Sequence, residues 1–347
     1  MVNMNRRSFT QRALIGLSAL SALSWTSSSN RTMIRPARLR KGDQVGLITP
    51  ASYIDDSGLE KAINNLEKLG LKVVRGQHLR AEYGSMAGTD AERLADLHSM
   101  FANPDIKGIW CARGGYGAAR LLDDIDYELI RQNPKVLVGY SDITALHCAI
   151  WEKTGLVTFH GPVGNSTLTD YTLEQVQSIL FNPQERHKIT ISAAQLTEAL
   201  SDDVYKPGSI VPGQAEGELI GGNLSLLASL AGTAYLPDVK GKLVFIEDIG
   251  EKPYRIDRML TTLRQAWPLK DAAGIALGVF AGCEASSGSR SLSLQETLRD
   301  RLGDLGIPVY YGISFGHVDN MTTLPVGVRA QLDATEGVLT LMSPGVQ

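Results

Sequence analysis

Short hydrophobic runs alternate with amphipathic stretches along the chain from about residue 44 onward. The first run, 44–49 (QVGLIT), has the length and apolar character of a buried strand, and residues 57–69 then show helical spacing of apolar positions. The alternation continues, with strands predicted at 71–74, 106–112 and 135–139 and helices at 89–101 and 142–153. A capping box of Thr89 and Glu92 is predicted at the start of the helix at 89–101. Strands that alternate with helices predict an α/β fold, a doubly wound, mostly parallel sheet covered on both faces.

The pattern changes between residues 193 and 214, where two prolines and two glycines stand among polar residues. This composition predicts a linker, which we place at 196–213, between an N-terminal domain at 36–195 and a C-terminal domain at 214–347. Beyond the linker, strands are predicted at 242–246 and 275–280, with helices at 254–266 and 292–301, and the chain ends in β-rich segments. We therefore expect the second domain to be a smaller α+β domain.

The first thirty residues differ from the rest of the chain. They contain three arginines and no acidic residue, followed by the modestly apolar run 13–25 and a short polar exit. This order is typical of an export signal, and the run is shorter than the roughly 17 residues that a membrane span requires. The pair Arg6-Arg7 favours the twin-arginine route. We predict an export signal at 1–30, no stable membrane span and a periplasmic protein. The alternatives are a chance arginine pair before an ordinary Sec signal, or a buried helix; without an export signal the protein would be cytoplasmic.

Composition and charge narrow the classes of function. With 43% hydrophobic residues and a formal charge of −3, the chain is expected to form a packed core and shows no basic stripe for nucleic acid. Its three cysteines fit neither a disulfide framework nor a C-x-x-C metal site, and H-E-x-x-H is absent from the sequence. We expect no metal, no cofactor and no nucleic-acid partner.

The segment Gly139-Tyr140-Ser141-Asp142 has the parts of a nucleophile elbow. A hydrophobic strand leads to Ser141 and a helix follows at once, which would expose Oγ beside the helix N-terminal amides. The match to G-x-S-x-G is partial, because Ile143 replaces the second glycine. A serine and an aspartate before an apolar helix are also typical of an ordinary helix N-cap, and local sequence leaves both interpretations open.

A nucleophilic serine needs a base and an acid that orients it. Two of the six histidines, His160 and His317, follow β-like segments and lie in glycine-containing loops, and the residues themselves do not decide between them. Glu247 directly follows an apolar strand and is the best candidate for the acid, the alternative being a surface carboxylate at a strand end.

A glycine-rich loop, 113–117 (RGGYG), follows the third predicted strand. Successive amides in such a loop form a concavity for anions, which in acyl transfer could stabilise an oxyanion. A dinucleotide fingerprint is the competing interpretation, but Arg120 stands where its last glycine would be, and the loop follows the third strand rather than the first.

Six segments, in this order along the chain, resemble the LD-carboxypeptidase family of serine peptidases, also called muramoyltetrapeptide carboxypeptidases. They are ARGGYGAARLL (112–122), VLVGYSDITAL (136–146), FHGPV (159–163), GGNLSLLASLAGT (221–233), FIEDIGEKPYRIDRML (245–260) and FGHVDN (315–320). The resemblance implies an N-terminal doubly wound α/β domain, a smaller C-terminal domain with β-barrel-like character, and a homodimer.

The resemblance also implies a chemistry. Ser141 would be the nucleophile, Glu247 the orienting acid and His317 the base, with oxyanion amides at Gly115 and Asp142. The expected reaction is hydrolysis of the bond between the diamino acid and the terminal D-alanine of murein tetrapeptides, through an acyl-enzyme and without a cofactor. Further expected substrate contacts are Arg113, Tyr116 and His160, the last of which could instead be structural.

Two other functions compete with this one. The family branch that hydrolyses microcin C-type aminoacyl-nucleotides shares the implied triad, but it is expected to carry additional aromatic stacking residues. Between residues 155 and 205 the sequence has no tryptophan, which favours murein. A non-catalytic periplasmic binding protein would bind a ligand without turnover and would be indifferent to loss of the Ser141 hydroxyl.

Overall fold

The structure is a computed structural model, and it describes residues 32–347; the predicted export signal at 1–30 lies outside the described residues. Its helices are α1 (Asp56–Lys68), α2 (Asp90–Ala102), α3 (Tyr127–Gln132), α4 (Thr144–Thr154), α5 (Asp170–Leu180), α6 (Ala193–Glu198), α7 (Leu224–Leu230), α8 (Pro253–Ala266) and α9 (Leu294–Leu302). Its strands are β1 (Gln44–Ile48), β2 (Lys72–Arg75), β3 (Ile106–Cys111), β4 (Val136–Gly139), β5 (Thr158–His160), β6 (His187–Ile189), β7 (Gly208–Val211), β8 (Gln214–Asn223), β9 (Leu243–Ile249), β10 (Gly274–Ala281), β11 (Val309–Gly316), β12 (Leu324–Val326), β13 (Arg329–Asp333) and β14 (Val338–Leu341).

The first sheet has six strands in the order β12-β5-β4-β3-β1-β2. The strands β1 to β5 are parallel, and β12 joins the edge antiparallel to β5. Every residue of β4 is buried, and β1 and β3 each expose a single residue, as expected for parallel strands covered on both faces. The predicted doubly wound α/β fold is confirmed.

Local sequence accounts for the helices that flank this sheet. In α2 the Thr89 side chain accepts a hydrogen bond from the Glu92 amide while the Glu92 carboxylate accepts one from the Thr89 amide, so the predicted capping box is present. In α1 the apolar residues Leu59, Ala62 and Leu66 recur at helical spacing and are buried. Both helices are therefore fixed by an N-terminal cap and one apolar face.

The second sheet has eight strands in the order β6-β14-β13-β8-β9-β10-β11-β7. Its central strands β8, β9, β10 and β11 are parallel and are connected through α7, α8 and α9, while β7, β13, β14 and β6 are antiparallel to their neighbours. Within residues 32–347 no pairing joins the edge strands β6 and β7, so the sheet is open and does not close into a barrel.

The two sheets exchange strands at their edges. The strand β12 comes from the C-terminal part of the chain and completes the first sheet, whereas β6 comes from the N-terminal part and pairs with β14 in the second. Residues 196–213, expected as a linker, hold the end of α6, a 3-10 turn at Asp203–Tyr205 and β7. Met33–Gln347 is one compact unit. No helix in this described part of the chain has the length and hydrophobicity of a membrane span.

Candidate active site

The turn after β4 holds Ser141 in an unusual backbone conformation. Its φ is +63°, and Ser141 is the only non-glycine residue in the described range with a positive φ. A 3-10 turn begins at Ser141 and continues into α4. A Cβ on Gly139 would lie 2.9 Å from the side chain of Ile143, so glycine is needed where the strand meets the turn. This is the strand–turn–helix geometry that exposes a nucleophile.

The glycine-rich loop after β3 lies against Ser141. A Cβ on Gly114 would lie 3.1 Å from the Ser141 Cβ and 3.4 Å from its Oγ. Gly115 has a φ of +114°, and a Cβ there would overlap the Ser52 side chain. The Ser52 hydroxyl accepts a hydrogen bond from the Tyr116 amide at 3.0 Å. Ser52 follows β1 at the same edge of the sheet and was not singled out from the sequence.

Two buried charged side chains fix the same loop. The Asp142 carboxylate, 3% exposed, accepts a hydrogen bond from the Ala118 amide at 2.7 Å. Arg93 donates to the carbonyl oxygens of Pro50 and Gly117 at 2.7 and 2.8 Å. Burial raises the pKa of Asp142 to about 6, since the charged form loses its hydration. The residue after the serine therefore also ties the turn to the glycine-rich loop.

Glu247 and His317 form an ion-pair-like hydrogen bond. Glu247 lies in β9 and is fully buried; its Oε2 is 2.7 Å from Nδ1 of His317, which directly follows β11 and keeps 13% of its side chain exposed. A Cβ on Gly316, whose φ is +108°, would come within 2.9 Å of the Glu247 Cβ, so glycine permits this close approach. Burial lowers the pKa of His317, but the carboxylates of Glu247, which also accepts a hydrogen bond from it, and of Asp248 together outweigh burial, and the net pKa is raised.

Tyr140 connects the two halves of the site. It immediately precedes Ser141, and its ring centroid lies 4.8 Å from that of His317. Burial raises the pKa of Tyr140 to about 12, which keeps its hydroxyl neutral. The structure thus brings Ser141, Glu247 and His317 to one region between the carboxyl ends of β4, β9 and β11. Tyr140 lies within the elbow segment, but local sequence predicts no role for it.

A buried polar chain joins the same strands behind the site. The Asn223 amide donates to the Thr144 hydroxyl at 2.9 Å, which links the end of β8 to the start of α4. The Asn223 side chain donates to Asp248 at 2.9 Å, and Ser225 donates to the same carboxylate through its amide and hydroxyl. Burial and the neighbouring Glu247 raise the pKa of Asp248 to about 6. These bonds hold the strand of Glu247 against the helix that follows Ser141.

The remaining predicted contacts separate into two groups. Arg113 and Tyr116 lie on the glycine-rich loop, where Arg113 donates to the Tyr53 carbonyl at 3.1 Å and Tyr116 is 57% exposed. His160 has no exposed surface, so its expected substrate contact is corrected to a structural position. The sequence placed His160 in a loop, but it is the last residue of β5 in the first sheet, and its ring packs against Phe245 and Phe315 of the second sheet.

A small cleft opens beside His317. Its volume is about 210 Å³ and it is lined by Gln195, Glu198, Tyr205, His317, Val318, Asp319 and Asn320. Among residues 32–347, no group of three or more His, Cys, Asp or Glu side chains is placed to hold a metal ion. The site thus combines a serine at positive φ, a paired histidine and carboxylate, and the glycine-rich loop 113–117, and it lies next to a polar cleft.

Comparison with known proteins gives consistent matches to both halves of the chain. Residues 45–161 match the model of the LD-carboxypeptidase N-terminal domain, and residues 216–332 match the LD-carboxypeptidase C-terminal domain. The probable murein peptide carboxypeptidase of Bacillus subtilis (strain 168) is 44% identical over 302 residues, which are 87% of this chain and 92% of that protein.

Solved structures agree with these matches. A muramoyltetrapeptide carboxypeptidase from Oxalobacter formigenes aligns with a TM-score of 0.73 at 31% identity, covering 86% of this chain and 97% of the other. The microcin C7 self-immunity protein MccF, in its wild-type apo state, aligns with a TM-score of 0.81 at 27% identity, covering 90% and 100% of the two chains. The curated MccF from Escherichia coli is 30% identical over 323 residues, 86% of this chain and 92% of that protein.

Proposed function

Because the chain belongs to the LD-carboxypeptidase family, we propose that it is a serine carboxypeptidase that removes the terminal D-alanine from murein tetrapeptides. The observation that carries this proposal is the hydrogen bond between Glu247 and His317, whose ring lies 4.8 Å from that of Tyr140, the residue before Ser141. Among the described residues, Ser141 is the only non-glycine residue held at positive φ. The names of the B. subtilis and O. formigenes relatives support the murein substrate.

The proposed mechanism follows from the hydrogen bond that fixes the roles of the two ring nitrogens of His317. Since Nδ1 of His317 is 2.7 Å from the Glu247 carboxylate, it donates there, and Nε2 is left to accept the Ser141 proton. Oγ then attacks the carbonyl carbon of the diamino acid, and the carbonyl electron pair moves onto oxygen. As that pair returns, the C–N bond breaks and His317 passes its proton to the departing D-alanine amine.

The second half of the reaction repeats these roles. Water attacks the acyl ester and gives a proton to His317, and Oγ of Ser141 leaves and takes that proton back. The oxyanion in both steps would be held by the amides of Gly115 and Asp142, which lie in the loop and the turn that contact each other at Gly114 and Ser141. Buried Glu247 stabilises the protonated imidazole that forms each time.

The deciding experiment is to incubate the protein with disaccharide tetrapeptide, and separately with the pentapeptide and the tripeptide, and to measure released D-alanine. We expect release from the tetrapeptide alone. Ser141→Ala and His317→Ala should reduce kcat by a factor on the order of 10⁴ or more while leaving the fold intact. The exposed Ser289→Ala is the matched control and should match the wild type. Full activity in Ser141→Ala would contradict the proposed nucleophile.

A second candidate substrate rests on the similarity to MccF, one of whose structures is a complex with aspartyl sulfamoyl adenosine. Between residues 155 and 205 no tryptophan occurs, and the aromatic residues are Phe159, Tyr171, Phe181 and Tyr205, of which Tyr205 lines the cleft beside His317. An aminoacyl-nucleotide would need a larger aromatic surface for its base, which favours murein. Aspartyl sulfamoyl adenosine is therefore included in the same assay. Its turnover at a higher kcat/KM than that of the tetrapeptide would favour the second candidate.

We also propose that the protein works in the periplasm, on the strength of Arg6, Arg7 and the apolar run that follows them. Changing both arginines to lysine keeps the charge but removes the paired guanidinium groups that the twin-arginine route requires. The expected result is loss of the protein from the periplasmic fraction. Unchanged export would contradict the twin-arginine assignment, and absence of the wild-type protein from the periplasm would place it in the cytoplasm.

The resemblance to the family further supports a homodimer. Multi-angle light scattering of the purified protein should give twice the mass of the chain, and a mass equal to one chain would contradict this part of the proposal.

A further inference from the structure

His160 is a buried histidine that the proposed reaction does not use. It has no exposed surface, and within the described residues neither Nδ1 nor Nε2 has a hydrogen-bond partner. A neutral imidazole carries one donor and one acceptor, and leaving both buried and unpaired lowers the stability of the folded state. A buried polar ring of this kind calls for an explanation, which here lies in the position of the ring.

Aromatic side chains pack against the ring of His160. Its ring packs edge-on against Tyr140 at 6.0 Å between centroids, against Phe245 at 5.2 Å and against Phe315 at 6.5 Å. Phe245 and Phe315 also pack against each other at 5.9 Å. These separations lie within the range of favourable edge-to-face aromatic pairs.

His160 also lies 6.4 Å from the ring of His147 on α4. The other three contacted rings have one feature in common: each is one or two positions before a residue of the proposed site. Tyr140 directly precedes the nucleophile, Phe245 is two residues before Glu247 in the same strand, and Phe315 is two residues before the base. Residues two apart on a strand face the same side, so the ring before Glu247 and its carboxylate move together. His160 therefore contacts all three chain segments that carry the site.

We infer that His160 is a positioning residue: its ring sets the distance between the proposed nucleophile and the acid–base pair across from it. The inference rests on the proposed roles of Ser141, Glu247 and His317. Since neither ring nitrogen is bonded, the shape of the ring carries the effect, and a phenyl ring of similar size can replace it.

The charge state of His160 is consistent with this role. The titratable groups that face it are Tyr140, His147 and, beyond Tyr140, His317, and the phenyl rings of Phe245 and Phe315 also pack against it. Burial lowers its pKa well below the ordinary value, and the imidazoles of His147 and His317 lower it further. His160 thus stays neutral when His317 becomes protonated during turnover, and no second positive charge opposes that step.

The test compares His160→Phe with His160→Leu in the D-alanine release assay. We expect His160→Phe to keep kcat within about threefold of the wild type and to melt at the same or a higher temperature, because it removes two unpaired polar atoms. His160→Leu should lower kcat about 10- to 100-fold with little change in KM, since a shift near 1 Å misaligns reacting groups without removing substrate contacts. Phe159→Leu, which removes a fully buried ring from the adjacent position of β5, is the matched control for lost packing.

A second readout needs no substrate. The downfield proton resonance of the His317 Nδ1–H bonded to Glu247 should titrate alike in the wild type, His160→Phe and Phe159→Leu, and should shift in His160→Leu. If His160→Leu does not fold, His160→Met takes its place, because an unbranched side chain adapts to irregular space.

The outcomes separate this inference from the proposed function. A wild-type protein that releases no D-alanine would contradict the function, whatever the variants do. An active wild type with His160→Leu equally active, or with Phe159→Leu equally impaired, would overturn the positioning role. A folded His160→Phe that loses kcat as far as His160→Leu would overturn it as well, because a ring nitrogen would then be required.

Discussion

At the scale of single residues, the site depends on strain held in place by glycine. A serine at a φ of +63° carries a cost on the order of 1–3 kcal/mol, which the surrounding structure must offset. Gly139 lets the turn close against Ile143, Gly114 lets the loop approach the serine, and the Asp142 carboxylate fixes the loop at Ala118. The capping interpretation of the local sequence fails here, because the Ser141 side chain caps no helix in the structure.

The Glu247–His317 pair predicts how activity depends on pH. His317 must be neutral to accept the serine proton, so kcat/KM should rise with pH through the His317 ionisation and fall as pH drops below its raised pKa. Glu247→Gln removes the charge that raises this pKa while burial continues to lower it. The midpoint of the profile should therefore move to lower pH, and kcat should fall by a factor on the order of 10²–10⁴.

The measurement is the pH profile of D-alanine release from the tetrapeptide, for the wild type, Glu247→Gln and a control. Glu128→Gln is suitable as the control, since this exposed carboxylate on α3 pairs only with its helix neighbours Arg131 and Gln132. An unchanged midpoint in Glu247→Gln would show that Glu247 does not act on the ionisation of the base.

At the scale of elements, the hydrophobic pattern and the helix caps predicted the strands and helices whose signals lie close together in the sequence. The strands that become β1, β3 and β4 and the capped helix α2 were found from short apolar runs and the Thr89–Glu92 box, because these signals lie within a few residues of each other. The strand β8 was missed. Its last residues, Gly221-Gly222-Asn223, predict the opening of a helix, and α7 does begin at Leu224 with Asn223 as its cap. The sequence cannot show what approaches the two glycines.

The structure explains those glycines. A Cβ on Gly221 would overlap the Phe245 carbonyl, and one on Gly222 would overlap the Thr144 side chain, so both permit close packing between elements far apart in sequence. The residues of the candidate site divide in the same way, into those that local sequence indicates and those that depend on contacts distant in sequence. Ser141 and Glu247 could be proposed from local sequence because both stand at the ends of apolar strands. The choice of His317 over His160 depended on family resemblance, since burial of His160 arises from contacts with Phe245 and Phe315.

At the scale of the whole molecule, the exchange of edge strands bears on stability. The first sheet is completed by β12 and the second by β6, so each sheet contains a strand from the other half of the chain. The site lies between the two sheets, joined by the Asn223–Thr144 bond and the packing around His160. A site assembled from both halves is lost as soon as either half unfolds.

We therefore predict that residues 33–347 unfold as one cooperative unit. Hydrogen exchange followed by mass spectrometry along a urea series should show peptides from β3 and from β9 losing protection at the same midpoint.

The variant Leu298→Ala makes this test more specific, because Leu298 is fully buried on α9, which packs on α8 beside the second sheet. Truncating a buried leucine costs about 2–5 kcal/mol. In a cooperative unit that loss lowers the midpoint of the β3 peptides as much as that of the β9 peptides, whereas independent halves would leave the β3 midpoint unchanged. The exposed Leu200→Ala controls for the substitution itself and should move neither midpoint, since its side chain is 88% exposed.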